Sequence, residues 1–174
     1  MKIVIRGYSG SGKSTLARAI GERCGIPVLH LDRVHWAPDW TERNGDEERR
    51  LVREFMDAND SWVIDGNYGG LYAERRQEEA DRILLLLFER LPCLLRVIRR
   101  WRRNRGQTRP DMGEGCAEKL DGAFLRWVLL DGRSAKKRRT YTQIAARYPE
   151  KTVVIRGQRA LDRWLREEGK GLEL

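Results

Sequence analysis

Short apolar runs alternate with longer segments in which apolar residues recur at helical spacing. The runs predict five strands, at 2–6, 27–31, 61–64, 82–88 and 151–156. The helical spacing predicts helices at 46–58, 71–78, 91–104, 117–130, 135–148 and 160–168, besides one after a glycine-rich turn near the N-terminus. We predict loops at 32–45 and 106–115. Strands that alternate with helices form a parallel sheet covered on both faces, so the sequence predicts one α/β domain over 1–174.

The glycine-rich turn lies between the first predicted strand and the first predicted helix. It reads Gly7-Tyr8-Ser9-Gly10-Ser11-Gly12-Lys13-Ser14, which matches the phosphate-loop pattern G-x-x-x-x-G-K-[ST]. Glycines let backbone N–H groups converge on phosphate, the lysine reaches the β- and γ-phosphates, and the hydroxyl binds Mg²⁺. The sequence therefore predicts ATP and Mg²⁺ as cofactors. The predicted nucleotide-binding residues are Gly7, Ser9, Gly10, Ser11, Gly12, Lys13, Ser14 and Thr15.

Two aspartates end neighbouring predicted strands at the edge where such folds bind ligands. We predict that Asp65 holds Mg²⁺ with Ser14, directly or through water, although an aspartate before Gly66 also suits a plain turn. We predict that Asp32 is the general base or hydrogen-bond partner for an acceptor hydroxyl, and a turn or helix cap is the alternative. The guanine-reading motif N-K-x-D is absent from the sequence, which argues against a GTPase.

The chain is strongly basic, with a formal net charge of +9 and a pI near 9.9. Much of the excess charge lies between about 96 and 139, where an arginine-rich helix is predicted. Such a surface favours anionic partners, either phosphorylated metabolites or nucleic acid. Arginines interleaved with Trp101 suit nonspecific nucleic-acid binding, while a solvated charged face is the plainer alternative.

Composition and apolar runs indicate a protein of the cytoplasm. The longest apolar run, residues 83–88, is too short to span a bilayer, and the N-terminus enters a strand without signal-peptide features. The three cysteines are widely spaced and form no C-x-x-C pair, which fits a reducing compartment.

Several motifs together resemble the DNA topology modulation proteins, small P-loop proteins related to adenylate and shikimate kinases. They are His30-Leu31-Asp32, Trp36-x-x-x-Trp40, Asp65-Gly66-Asn67-Tyr68, Thr108-Arg109-Pro110-Asp111 and Gly115-Cys116-Ala117-Glu118-Lys119. The resemblance implies a P-loop NTPase fold of the nucleoside-monophosphate-kinase type. Such a fold has a five-stranded parallel sheet in the order 2-3-1-4-5, helices on both faces and a helical lid.

The same resemblance implies how the site is divided. It places an acceptor-binding segment at about 32–60 and a lid at about 96–133, and the lid arginines of adenylate kinases match Arg99 and Arg103 best, with Arg96 as a third candidate. The function expected is an ATP-dependent phosphotransferase that moves the γ-phosphoryl group to a small anionic or hydroxylated acceptor. The alternative is a nucleotide-dependent nucleic-acid-binding regulator that affects DNA topology and has only ATPase activity.

Overall fold

A parallel sheet lies at the centre of the protein. The computed structural model describes residues 1–167. The strands of this sheet are β1 (Lys2–Gly7), β2 (Val28–His30), β5 (Trp62–Asp65), β6 (Arg82–Leu86) and β7 (Thr152–Ile155). Their spatial order is β2-β5-β1-β6-β7, with parallel pairing throughout. Counted alone, the five strands have the order 2-3-1-4-5, so the predicted P-loop NTPase fold is confirmed.

Helices cover both faces of this sheet. They are α1 (Lys13–Cys24), α2 (Leu31–His35), α3 (Gly45–Ala58), α4 (Ala73–Glu79), α5 (Arg90–Arg103), α6 (Gly122–Leu129), α7 (Ala135–Arg147) and α8 (Gln158–Glu167). Because both faces are covered, consecutive residues of β1, β5 and β6 are buried rather than alternating between core and solvent. In the described part of the chain, no helix combines the length and apolarity that crossing a bilayer requires.

The segment 32–45, expected to be a loop, is more ordered than its sequence suggested. The short helix α2 is followed by a two-stranded hairpin, β3 (Trp36–Ala37) and β4 (Thr41–Glu42). Pro38 begins the tight turn between them, and Asp39 and Trp40 have positive φ angles of 58° and 60°. No hydrophobic period marks so short a hairpin, which is why the sequence predicted a loop there.

The helix predicted at 117–130 begins later, at Gly122. Asp121 sets this start because its side chain accepts a hydrogen bond from the Phe124 amide, as a helix N-cap does. Residues 104–121, which we call the lid loop, contain two isolated bridges, Arg105 to Glu118 and Thr108 to Ala117.

Two other predicted boundaries also differ. The strand predicted at 82–88 ends at Leu86, and position 168 of the last predicted helix lies outside the described residues.

Candidate active site

The phosphate loop is a tight turn that only glycine fits at its critical positions. Gly10 and Gly12 have φ angles of +78° and +95°, which residues with a Cβ atom rarely adopt. A Cβ on Gly10 would lie 2.5 Å from the carbonyl oxygen of Cys93 in α5. Gly12 is the N-cap of α1, and no side chain caps that helix end. The first amides of α1 are therefore directed at the loop, where an anion is stabilised.

Lys13 is the cation of this loop. Its Nζ donates a hydrogen bond to the carbonyl oxygen of Tyr8 at 3.1 Å. Burial lowers the pKa of the Lys13 ammonium, the carboxylates of Asp32 and Asp65 raise it, and Arg100 lowers it further. A phosphate bound beside this ammonium would favour its charged form.

Asp65 is a buried carboxylate at the end of β5. The hydroxyl of Ser14 donates to Asp65 Oδ2 at 2.9 Å, and His30 Nδ1 contacts Asp65 Oδ1. The hydroxyl and carboxylate are hard oxygen donors of the kind that Mg²⁺ takes in phosphate-binding sites. No group of three or more His, Cys, Asp and Glu side chains within residues 1–167 is arranged to hold a metal. Mg²⁺ suits such a sparse site, because it keeps several waters and phosphate oxygens as ligands.

Asp32 lies at the start of α2, on the same edge of the sheet. It is half-buried, and it influences the ionisation of Lys13. The phenol of Tyr68 donates a hydrogen bond to Asp32 Oδ1 at 2.8 Å. The structure therefore brings together the three predicted residues Lys13, Asp32 and Asp65, and it adds Tyr68, which the sequence reasoning did not select.

The arginines of α5 fall into two groups. Arg96 donates through Nη1 to the carbonyl oxygen of Ser11 at 3.0 Å and through Nη2 to Gln158 Oε1 at 2.5 Å. Arg100 lies close enough to Lys13 to affect its pKa, and its Nε donates to Glu118 at 2.7 Å. Arg99 and Arg103 are exposed. Arg96 therefore contacts the phosphate loop and Arg100 lies near Lys13, whereas the sequence had favoured Arg99 and Arg103, with Arg96 as a third candidate.

The lid loop is docked on the β3–β4 hairpin of the acceptor segment. The indole of Trp40 donates to the carbonyl oxygen of Ala117 at 3.1 Å, and the Cys116 thiol donates to the carbonyl oxygen of Ala37 at 3.2 Å. Gly113 approaches so closely that a Cβ there would lie 2.0 Å from the carbonyl oxygen of Trp36. The structure is thus closed between the lid loop and the hairpin.

We expect Gly113→Ala to undock the lid loop. The added methyl group would overlap a backbone oxygen that cannot turn aside. A loss of about 1.4 kcal/mol in docking free energy would increase the population of the open lid tenfold. Limited trypsin digestion should then cut after Arg105 and Lys119 of the lid loop about tenfold faster. Gly122→Ala is the matched control, because nothing lies within 4 Å of its new Cβ. Equal cleavage rates in the two variants would contradict the docking.

Comparisons with known proteins concern the fold more than the activity. No family model matches the sequence. The chain is 29% identical to the uncharacterized protein YqaC of Bacillus subtilis (strain 168). The match extends over 132 residues, which are 74% of this chain and 71% of that protein.

Solved structures with a similar fold include an uncharacterized protein from Eubacterium ventriosum ATCC 27560, with 17% identity and a TM-score of 0.51 over 95% of this chain and 97% of that one. A sugar kinase from Janibacter sp. HTCC2649 has 16% identity and a TM-score of 0.50 over 95% of this chain and 92% of that one. At these identities the likeness is one of fold.

Proposed function

We propose that this protein is an ATP-dependent phosphotransferase, which moves the γ-phosphoryl group of Mg·ATP to a small anionic or hydroxylated acceptor. The observation that carries the proposal is that Asp32 lies at the same edge of the sheet as Asp65 and near enough to Lys13 to raise the pKa of its ammonium. Asp65, which accepts a hydrogen bond from the Ser14 hydroxyl, is assigned to Mg²⁺. A second carboxylate close to the phosphate-binding lysine is suited to accept the proton of an attacking hydroxyl.

Each residue of the site has a distinct role in this proposal. The amides of Gly7–Thr15 bind the phosphates, and Lys13 stabilises the β- and γ-phosphoryl oxygens. Bound through Ser14 and Asp65, Mg²⁺ would neutralise phosphate charge during transfer. The guanidinium groups of Arg96 and Arg100 stabilise the charge that spreads over the transferring group.

The acceptor enters between the segment 32–40 and the helix at 46–58, both within the acceptor segment at 32–60, and the lid at 96–133 closes over it. Docking of the lid loop on the hairpin excludes water, which would otherwise compete as the attacking nucleophile. The motif resemblance to DNA topology modulation proteins and the fold likeness to a protein named as a sugar kinase both support this assignment.

The decisive experiment is a screen for acceptor-dependent ADP formation. Nucleoside monophosphates, nucleosides, sugars and hydroxy acids are supplied with Mg·ATP, and a reaction without acceptor gives the background hydrolysis. We expect one chemical class to raise ADP formation well above this background, and Lys13→Ala to remove the increase. ADP formation that no compound raises above the background would favour a nucleotide hydrolase instead.

We expect Asp65→Asn to raise the Mg²⁺ requirement of ADP formation. Losing the carboxylate charge weakens the metal site, so the half-saturating Mg²⁺ concentration should increase at least about tenfold. A Mg²⁺ titration of ADP formation at fixed ATP measures this change. Asp32→Asn is the matched control, since it removes a neighbouring carboxylate that is assigned to the acceptor and should leave the Mg²⁺ dependence unchanged. The two roles are misassigned if both variants keep the parent's titration curve.

A further inference from the structure

Tyr68 connects the loop after β5 to Asp32 of α2. Its phenol donates to Asp32 Oδ1 at 2.8 Å, across 36 residues of sequence. Burial raises the pKa of the Tyr68 phenol, and the Asp32 carboxylate raises it further. The proton therefore stays on the phenol at physiological pH, and the hydrogen bond always runs from Tyr68 to Asp32.

The ring of Tyr68 is held by aromatic neighbours from α2 and β3. The His35 ring lies 4.7 Å from it, centroid to centroid, and the Trp36 ring lies 4.6 Å from that of His35. His35 is fixed in turn, because its Nδ1 lies 2.7 Å from Oε1 of the buried Glu48 in α3. The phenol thus has a defined orientation before any substrate binds.

The backbone of Tyr68 is held by a buried arginine. Arg76 of α4 is 0% exposed, and its Nη2 donates to the carbonyl oxygen of Tyr68 at 2.6 Å while its Nε donates to that of Leu71 at 2.7 Å. Burial, together with the nearby positive charge of Arg6, lowers the pKa of Arg76 to about 9. Burying a guanidinium on carbonyls rather than on a carboxylate costs stability. What it fixes is a loop that contains Gly69 and Gly70, which have little conformational restraint of their own.

We infer that Tyr68 is a positioning residue for Asp32. The inference rests on the proposed function, in which Asp32 accepts a proton from the attacking hydroxyl. By engaging Oδ1, Tyr68 sets the rotation of the carboxylate and directs Oδ2 to the nucleophile. An aspartate in a helix of only five residues gains more from such a restraint than one in a long helix, whose neighbouring turns restrict its side chain.

A double-mutant cycle tests this inference with Mg·ATP and water, so that no acceptor has to be known. The rate of ATP hydrolysis is measured for the parent, Tyr68→Phe, Asp32→Asn and the double variant. We expect Tyr68→Phe to lower the rate about tenfold in the parent and less than about twofold in the Asp32→Asn background. A residue that only stabilises the fold would lower both rates by the same factor. The affinity for Mg·ATP, measured by calorimetry, should not change.

Tyr72→Phe is the matched control, because it makes the same chemical change four residues along the chain, at the N-cap of α4. It should keep the hydrolysis rate within about twofold of the parent. Equal effects of Tyr68→Phe in the two backgrounds would overturn the inference, and so would an Asp32→Asn rate equal to that of the parent. Lys13→Ala distinguishes failure of the inference about Tyr68 from failure of the proposed function. Hydrolysis that survives this substitution contradicts the proposed function itself.

Discussion

Replacing Lys13 by alanine should lower phosphoryl transfer from Mg·ATP by at least about 10³-fold. The ammonium of Lys13 is half-buried in the loop, where it donates to Tyr8 and is assigned to the β- and γ-phosphates. A cation that stabilises charge in such a water-poor site contributes far more than one on the surface. ADP formation and calorimetric titration with Mg·ATP measure the loss of transfer and of affinity.

The same substitution should leave the unliganded protein as stable as the parent or more stable. Burial lowers the pKa of the Lys13 ammonium, so the folded protein disfavours this charge until a phosphate arrives. Thermal melts should therefore show an unchanged or higher melting temperature without nucleotide, and a lost stabilisation by Mg·ATP. Lys136→Ala, which removes an exposed lysine of α7, is the control for loss of one positive charge. Unchanged Mg·ATP affinity and turnover in Lys13→Ala would contradict the phosphate-loop assignment.

The sheet and the phosphate loop could be predicted because their signals are local. A run such as Ile3–Ile5 is buried on both faces of a parallel sheet, so it shows no polar alternation. The phosphate loop is a contiguous motif whose glycines are required by positive φ angles. Asp32 and Asp65 were found at one edge because parallel strands bring their carboxyl ends together.

The hairpin, the lid docking and the Tyr68 contact depend on residues far apart in the chain. Trp40 meets Ala117, and Tyr68 meets Asp32, across 77 and 36 residues respectively. Nothing in the local pattern marks these pairs, because an aromatic residue in a polar loop suits a core, a pocket or a lid equally well. Arg76 was equally hidden, since a buried arginine on backbone carbonyls has the sequence appearance of an exposed helical arginine.

Helical periodicity could not predict which arginines of α5 lie next to the phosphate loop. Spacing places Arg96, Arg99, Arg100 and Arg103 on one broad face, but it does not say which part of that face meets the phosphate loop. The structure decides this through Gly10, whose Cα approaches Cys93 and Val97 so closely that a Cβ would clash with both. With the helix held there, Arg96 donates to the carbonyl oxygen of Ser11 in the loop and Arg99 is exposed.

Arg100→Ala should lower turnover about 10³-fold, because a guanidinium that stabilises the transferring phosphoryl group contributes roughly 10³–10⁵ to the rate. Arg99→Ala is the matched control one residue away, and it should keep turnover within about threefold, as expected for an exposed arginine. Arg96→Ala and Arg103→Ala complete the set, with a large decrease expected only for Arg96. Since these groups act mainly in the reacting state, kcat should fall more than the affinity for Mg·ATP.

Arg100 also anchors the lid loop, so its two roles have to be separated. Its partner Glu118 is shared with Arg109, whose Nε donates to the second carboxylate oxygen at 2.5 Å. Arg109 would therefore keep Glu118 paired if Arg100 turned to a phosphate.

Glu118→Gln weakens the anchor while leaving the Arg100 guanidinium in place. If Arg100 acts on the phosphoryl group, Glu118→Gln should cost far less turnover than Arg100→Ala, although both variants lose the contact between α5 and the lid loop and should be cut faster by trypsin. Equal losses in the two variants would mean that Arg100 serves the lid alone. Turnover within about threefold for all four arginine variants, less than about 1 kcal/mol in barrier, would reduce this face of α5 to a solvated charged surface.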